Sequence, residues 1–254
     1  MMAAMPTVID QTACPYEAMP KHITSIQIQE QSPPSYQNES NSPEPNVTIA
    51  RITHEPQQED VKRLIEAGLA SYNNGELEEA VEYYSRALEI SADDAVLLYN
   101  LAVVFGDLER YEESRAAFAR LVENSGGLLD PTLLAGAHQG IGAALLGLLR
   151  TSGPRERPRD LASESELEFH QAVALDPNSS GAWVGLGLAL HILEKLDDAE
   201  AAFRRALEID PDSQVATDRL RGVLKAFMQK ARGIWRDRPD LPTLNDLRSE
   251  WNRF

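Results

Sequence analysis

The sequence predicts an all-α fold: a solenoid of antiparallel helix pairs, closed by a C-terminal capping helix and preceded by a disordered N-terminal tail. Three observations carry this reading. A helix ending recurs, as ALEISA at 87–92, AVALDP at 172–177 and ALEIDP at 206–211. Setting the endings in register gives units of 34 residues at 61–94, 95–128 and 180–213, the period of a stacked supersecondary repeat. Within the units, apolar residues recur at helical spacing between breaks of Gly, Asn, Asp and Pro.

Residues 1–58 hold eight prolines, many Ser and Gln, and few large aliphatic residues. Such a stretch cannot offset the entropy of ordering and is expected to be a disordered tail. Within it, PPSY (Pro33, Pro34 and Tyr36) matches the PPxY ligand of WW domains, whose aromatic grooves accept a preformed polyproline helix. So short a motif in a Pro-rich run has low specificity, and a WW-domain protein is carried only as one candidate partner.

Residues 59–213 are expected to hold four repeats, the fourth unit in chain order being 180–213 and the third 135–179. The third is in register only with an insertion of 11 residues near 150–161, RTSGPRERPRDL. That insertion falls at the turn inside the helix pair, where a solvated loop is expected. Its Arg150, Arg155, Arg157 and Arg159 stand on an otherwise acidic body, as candidates for a partner's carboxylates or phosphates.

Small residues mark where the two helices of a pair approach. Gly68, Ala102, Gly142 and Gly187 are on first helices, and Ala80, Ser114, Ser165 and Ala199 on second helices. Tyr84, Phe118, Phe169 and Phe203 are expected between consecutive pairs, since one pair cannot bury its own apolar face. Second helices open on acids (Glu78, Glu79; Glu112, Glu113; Asp197, Asp198), as the helix dipole favours. Two endings are weaker, Ser91-Ala92 and LVENSG at 121–126, and those joints are expected to be the least rigid.

Residues 214–254 begin with a helix over about 214–235 that places Leu220, Val223, Leu224, Phe227, Met228, Ala231, Ile234 and Trp235 on one stripe. It is expected to cover the last repeat. Pro239 and Pro242 end it, and the final TLNDLRSEWNRF aligns Leu244, Leu247, Trp251 and Phe254 if helical, with Thr243 as N-cap.

In the unit 180–213, Trp183, Leu186, Gly187, Leu190, Ala199, Phe203, Ala206 and Pro211 stand at the signature spacings of the tetratricopeptide repeat. The first unit matches through Leu64, Ala67, Gly68, Gly75, Ala80, Tyr84 and Ala87, and the second through Leu98, Leu101, Ala102, Phe105, Ser114, Phe118 and Leu121. The chain thus resembles the tetratricopeptide repeat family. The resemblance implies a right-handed superhelix, a concave groove lined by first helices, and a non-catalytic adaptor or scaffold that binds a protein or peptide. The groove-facing slots would hold Ile65, Leu69, Tyr72, Tyr99, Asn100, Val103, Leu146, Val184, Leu188, His191 and Ile192. This mainly apolar lining is expected to be open and to take an apolar or amphipathic peptide. The carboxylate clamp of chaperone adaptors within the family is matched only at Asn100, because the other slots hold Ile65, Leu69, Gly136 and Gly140. Two alternatives stand beside the adaptor: a self-assembling structural protein whose C-terminal segment docks in a neighbouring copy, giving a homo-oligomer, and the regulatory subunit of an enzyme or a chaperone adaptor lacking that clamp.

Composition excludes other classes. With 24 basic and 40 acidic residues, a net charge of −16, nucleic acid and anionic membrane surfaces are not expected partners. Cys14 is the single cysteine, which fits a reducing compartment, and a start without a signal-peptide pattern leads to an expected cytoplasmic location. No cofactor or metal motif is found: GIGAAL at Gly140 lies inside a helical pattern with no strand before it. Glu166 and His170, four apart, read as an ordinary surface pair.

Overall fold

The computed structural model describes residues 48–124, 130–151 and 158–237. PPSY and TLNDLRSEWNRF lie outside the described residues. The elements are all α-helices: α1 (Thr48–Asn73), α2 (Leu77–Ile90), α3 (Ala95–Asp107), α4 (Tyr111–Asn124), α5 (Pro131–Thr151), α6 (Pro158–Leu175), α7 (Ser180–Ile192), α8 (Leu196–Ile209) and α9 (Gln214–Asp237).

Each helix packs chiefly on its neighbours in the chain, giving four antiparallel pairs and a capping helix. Beyond that, α3 touches α5, α5 touches α7 and α7 touches α9, while no comparable contact joins α2, α4, α6 and α8 to one another among the described residues. The first helices of the pairs therefore line the inside of the curve.

Local chemistry fixes the helix ends. Asp94 caps α3 by accepting from the amides of Val96 at 2.9 Å and Leu97 at 3.1 Å, and Ser179 caps α7 through the Ala182 amide at 3.2 Å. The turns inside the first, second and fourth pairs use one device. Gly75, Glu109 and Glu194 occupy equivalent places in the left-handed region, with φ of 82°, 58° and 63°.

Packing follows the small residues. A methyl built on Gly68 would lie 2.7 Å from the Tyr84 ring, and one on Gly187 2.7 Å from Phe203. Phe169 is held from two sides, with Gly142 of α5 at 2.9 Å and Gly185 of α7 at 2.1 Å by the same measure. Phe118 lies against Gly140 of the following pair. All four rings are buried, as expected from the sequence. Where the second helix carries Ser in place of Ala, its hydroxyl donates across the close approach: Ser114 to the Ala102 carbonyl at 2.7 Å, and Ser165 to the Gly142 carbonyl at 2.9 Å.

Two expectations are corrected. First, α1 begins at Thr48, inside the stretch read as a disordered tail to residue 58. The Pro-rich average hid a run without proline, NVTIARITHE at 46–55. Second, the insertion is not simply a loop: it lengthens both helices of the third pair, to 21 residues in α5 and 18 in α6. Arg150 falls within α5, donates to Glu109 at 2.8 Å and to the Tyr111 hydroxyl, and lies over the Tyr111 ring. Arg159 is exposed on α6, and Arg155 and Arg157 lie outside the described residues. At the joint Ser91-Ala92, Arg120 donates to the Ala92 carbonyl at 2.5 Å and Asn124 to Asp93 at 2.8 Å.

α5 is long and apolar enough to cross a membrane by length and composition, yet 89% of its apolar stretch is buried inside the fold. It is flanked by α3, α4, α6 and α7, which explains an apolar character all round the helix.

Two outcomes follow, both read by urea unfolding. Gly185→Ala pushes a methyl into the fixed Phe169 ring and is expected to lower stability by about 1–3 kcal/mol. Gly222→Ala on α9, where a methyl meets nothing within 4 Å, is expected to raise it by up to about 1 kcal/mol.

Candidate peptide-binding groove

The inner face is built from α1, α3, α5 and α7, and the structure divides the eleven sequence-predicted groove residues into two sets. Ile65, Leu69 and Tyr72 on α1, and Leu188, His191 and Ile192 on α7, are half-buried and partly open to solvent. Tyr99, Asn100, Val103, Leu146 and Val184 are not an open lining: they are 0–6% exposed and belong to the core.

The cause is the closeness of the first helices. Gly136 on α5 leaves room for the Tyr99 ring, which a methyl there would meet at 3.0 Å. Tyr99 in turn packs edge-on to Phe118, with centroids 5.4 Å apart and planes at 79°. Asn100 is shut in beside them, 2% exposed, so the one residue that matched the carboxylate clamp is not presented to a peptide. Sequence spacing identified the face that these residues occupy but not the distance between neighbouring helices, and that distance decides exposure.

At one end of the face, the Tyr72 hydroxyl donates to Asp107 at the end of α3, tying α1 to its neighbour. Burial, and then the Asp107 carboxylate, push its ionisation well above the ordinary tyrosine range. At the other end, Leu188 and Ile192 of α7 are partly buried against the core, as is Phe227 of α9. His191 is held below its usual pKa, first by burial and then by the charge of Arg219. A cavity of about 40 Å³ among α5, α6 and α7 is lined by Gln139, Asp176 and Ser179 with small residues. It has room for little more than a water molecule and is no ligand pocket.

Two histidine–glutamate pairs are held within the chain. Glu166 accepts from Lys195 at 2.7 and 2.8 Å and stands 3.9 Å from His170, an ion-pair cluster rather than a metal site. His138 of α5 is 8% exposed and lies 2.7 Å from Glu168 across the third pair. Among the described residues, no group of three or more His, Cys, Asp or Glu side chains is arranged for a metal ion. The sequence reading missed Ile90, Leu167 and Leu175, which are 45%, 57% and 37% exposed on the second helices. The signal for Leu167 was present, since it stands between Glu166 and Glu168.

Comparison with known proteins finds the repeat in three stretches of the chain. Family models described as tetratricopeptide repeat match residues 95–126 and 180–213, and one described as TPR repeat matches residues 68–109. Human protein O-mannosyl-transferase TMTC1 is 27% identical over 174 residues, which is 60% of this chain and 20% of that protein. Tetratricopeptide repeat protein 37 of Xenopus laevis is 43% identical over 56 residues, 22% of this chain and 4% of that protein. The chain thus spans a fifth or less of the length of these curated relatives. Among solved structures, TTC0263, a thermophilic TPR protein in Thermus thermophilus, superposes with a TM-score of 0.55 at 21% identity, over 76% of this chain and 97% of that one. MamA gives 0.52 at 17% identity, over 74% of this chain and 99% of that one. At these identities the likeness is one of fold.

The His191 environment has a pH consequence. Its folded pKa lies below the unfolded value near 6.5, so the unfolded chain binds the proton more readily, and the contribution to stability present above that value is lost as pH falls. Urea midpoints measured between pH 7.5 and 5.5 are expected to drop further for the parent chain than for His191→Gln.

Proposed function

The chain carries tetratricopeptide repeats, and we propose that it acts as a non-catalytic protein-interaction scaffold whose inner face holds an apolar or amphipathic peptide segment. The observation that supports this reading is the pattern of exposure on that face. Partly open apolar residues stand at both ends, Ile65 and Leu69 on α1 and Leu188 and Ile192 on α7. Between them lies a floor of Tyr99, Val103, Leu146 and Val184 that is already filled. A partner therefore gains apolar burial at the two ends and lies across the floor without inserting side chains into it.

Charge narrows the partner. Residues 59–213 hold 29 acidic and 13 basic side chains, so a segment with basic residues flanking its apolar anchors is steered toward this face, and an acidic one is repelled.

Peptides selected by display on the full chain provide the test. Leu69→Glu combined with Leu188→Glu places charges at both half-buried ends while sparing the core. Titration of the selected peptides is expected to show at least about a tenfold loss of affinity, with unchanged helicity and melting temperature. Leu167→Glu, on an outer helix, is expected to leave affinity intact. Full affinity in the double variant overturns the inner-face reading.

A further inference from the structure

The cavity of about 40 Å³ among α5, α6 and α7 cannot enclose a whole ligand, but its walls are chemically one-sided. Apart from Ala and Gly, it is lined by Thr132, Gln139, Asp176 and Ser179. Thr132 is exposed and Asp176 and Ser179 are half-buried, so the cavity is open to solvent on that side, whereas Gln139 is 3% exposed.

The protons of these side chains decide what the walls can bind. The Ser179 hydroxyl donates to Gln139 Oε1 at 3.0 Å and accepts from the Ala182 amide at 3.2 Å. The Thr132 hydroxyl donates to Asp130, whose carboxyl is held below its ordinary range by bonds from the Thr132 amide and then from this hydroxyl. A hydroxyl has one proton, so both retain only acceptor capacity. Asp176 accepts from the Asn178 amide at 3.0 Å, and among the described residues no cation is paired with it. Both hydroxyl protons are thus spent, whereas oxygen acceptors remain on Thr132, Asp176 and Ser179. The helix ends do not reverse this balance. The starts of α5 and α7 have their Thr132 and Ala182 amides bonded to Asp130 and Ser179, and the negative end of α6 adds to the Asp176 carboxylate beside it.

We propose that this cavity is a socket for a single primary ammonium group, supplied by a lysine side chain of the segment that the inner face holds. An ammonium has three donors and no acceptor, is close to water in size and is carried on a slender stem. The planar guanidinium of arginine is too large for the space. A divalent ion, which takes about six or more oxygens, is not served by one carboxylate and two hydroxyls. Gly136 lines the cavity and also leaves room for the Tyr99 ring, so the socket adjoins the filled floor over which the segment passes. The source of the lysine rests on the inner-face reading; the chemistry of the socket does not.

NMR titration of the full chain with n-butylammonium, n-butylguanidinium and potassium, at an ionic strength held constant with tetramethylammonium chloride, tests the socket. n-Butylammonium is expected to shift the amides of Thr132, Gln139, Asp176, Asn178 and Ser179 saturably, with the other two cations at least about tenfold weaker. Asp176→Asn keeps an oxygen for the Asn178 amide and is expected to weaken n-butylammonium at least about tenfold, with helicity and melting temperature unchanged. Absence of a saturable shift in the parent chain overturns the proposal, leaving a cavity that holds water alone. So does an equal response to n-butylguanidinium, which is unspecific attraction, or to potassium, which gives the site to a free ion. Full n-butylammonium affinity in folded Asp176→Asn overturns it as well. The source of the lysine is read separately: norleucine in place of lysine in the peptides selected on the full chain is expected to cost at least about tenfold on the parent and little on Asp176→Asn. Equal cost on both overturns the assignment to a partner lysine. Saturation of the socket that survives while Leu69→Glu with Leu188→Glu keeps full peptide affinity is the failure of the inner-face reading and not of the socket.

Discussion

One contact sets the form of this molecule: a buried aromatic ring from each second helix seated against glycine on first helices. Phe169 is the fullest case, held between Gly142 of its own pair and Gly185 of the next. A ring held from two sides fixes the distance between α5 and α7 as well as the spacing within the pair. Repeated along the chain, it converts helix pairs that cannot fold alone into one continuous core.

The same constraint decides what the inner face can offer. Because the first helices are drawn close, the residues between them, Tyr99, Asn100, Val103, Leu146 and Val184, are consumed as core. Only the two ends keep apolar surface within reach of a partner. The inner face thus gives up most of its groove to the core, and of the eleven predicted groove residues only those on α1 and α7 stay half-buried. The third pair carries the idea further. Its insertion became additional helix, covered by its own α6 and pinned by Arg150 to Glu109 and Tyr111 of the preceding pair.

The small residues of the close approaches were legible in the sequence because they recur within one repeat at fixed spacing: Gly68, Gly142 and Gly187 on first helices, Ser114 and Ser165 on second helices. That Tyr84, Phe169 and Phe203 lie against the glycine of their own pair was not legible, since the apolar pattern placed those rings between consecutive pairs. Exposure on the inner face was not legible, since it depends on residues such as Gly136 and Gly140 that differ from one repeat to the next. Nor was the role of Arg150, whose partner Glu109 is 41 positions away. Composition misplaced the start of α1 because an average over 58 residues conceals a run without proline.

The central claim, that the inner helices are close enough to shut the floor of the face while its ends stay open, is tested most directly by hydroxyl-radical footprinting of the unliganded chain. Oxidation at Tyr99 as slow as at Phe118, alongside ready oxidation at Tyr72 and Leu188, is the expected result. Tyr99 reacting as fast as the half-buried Tyr83 of α2 would contradict it.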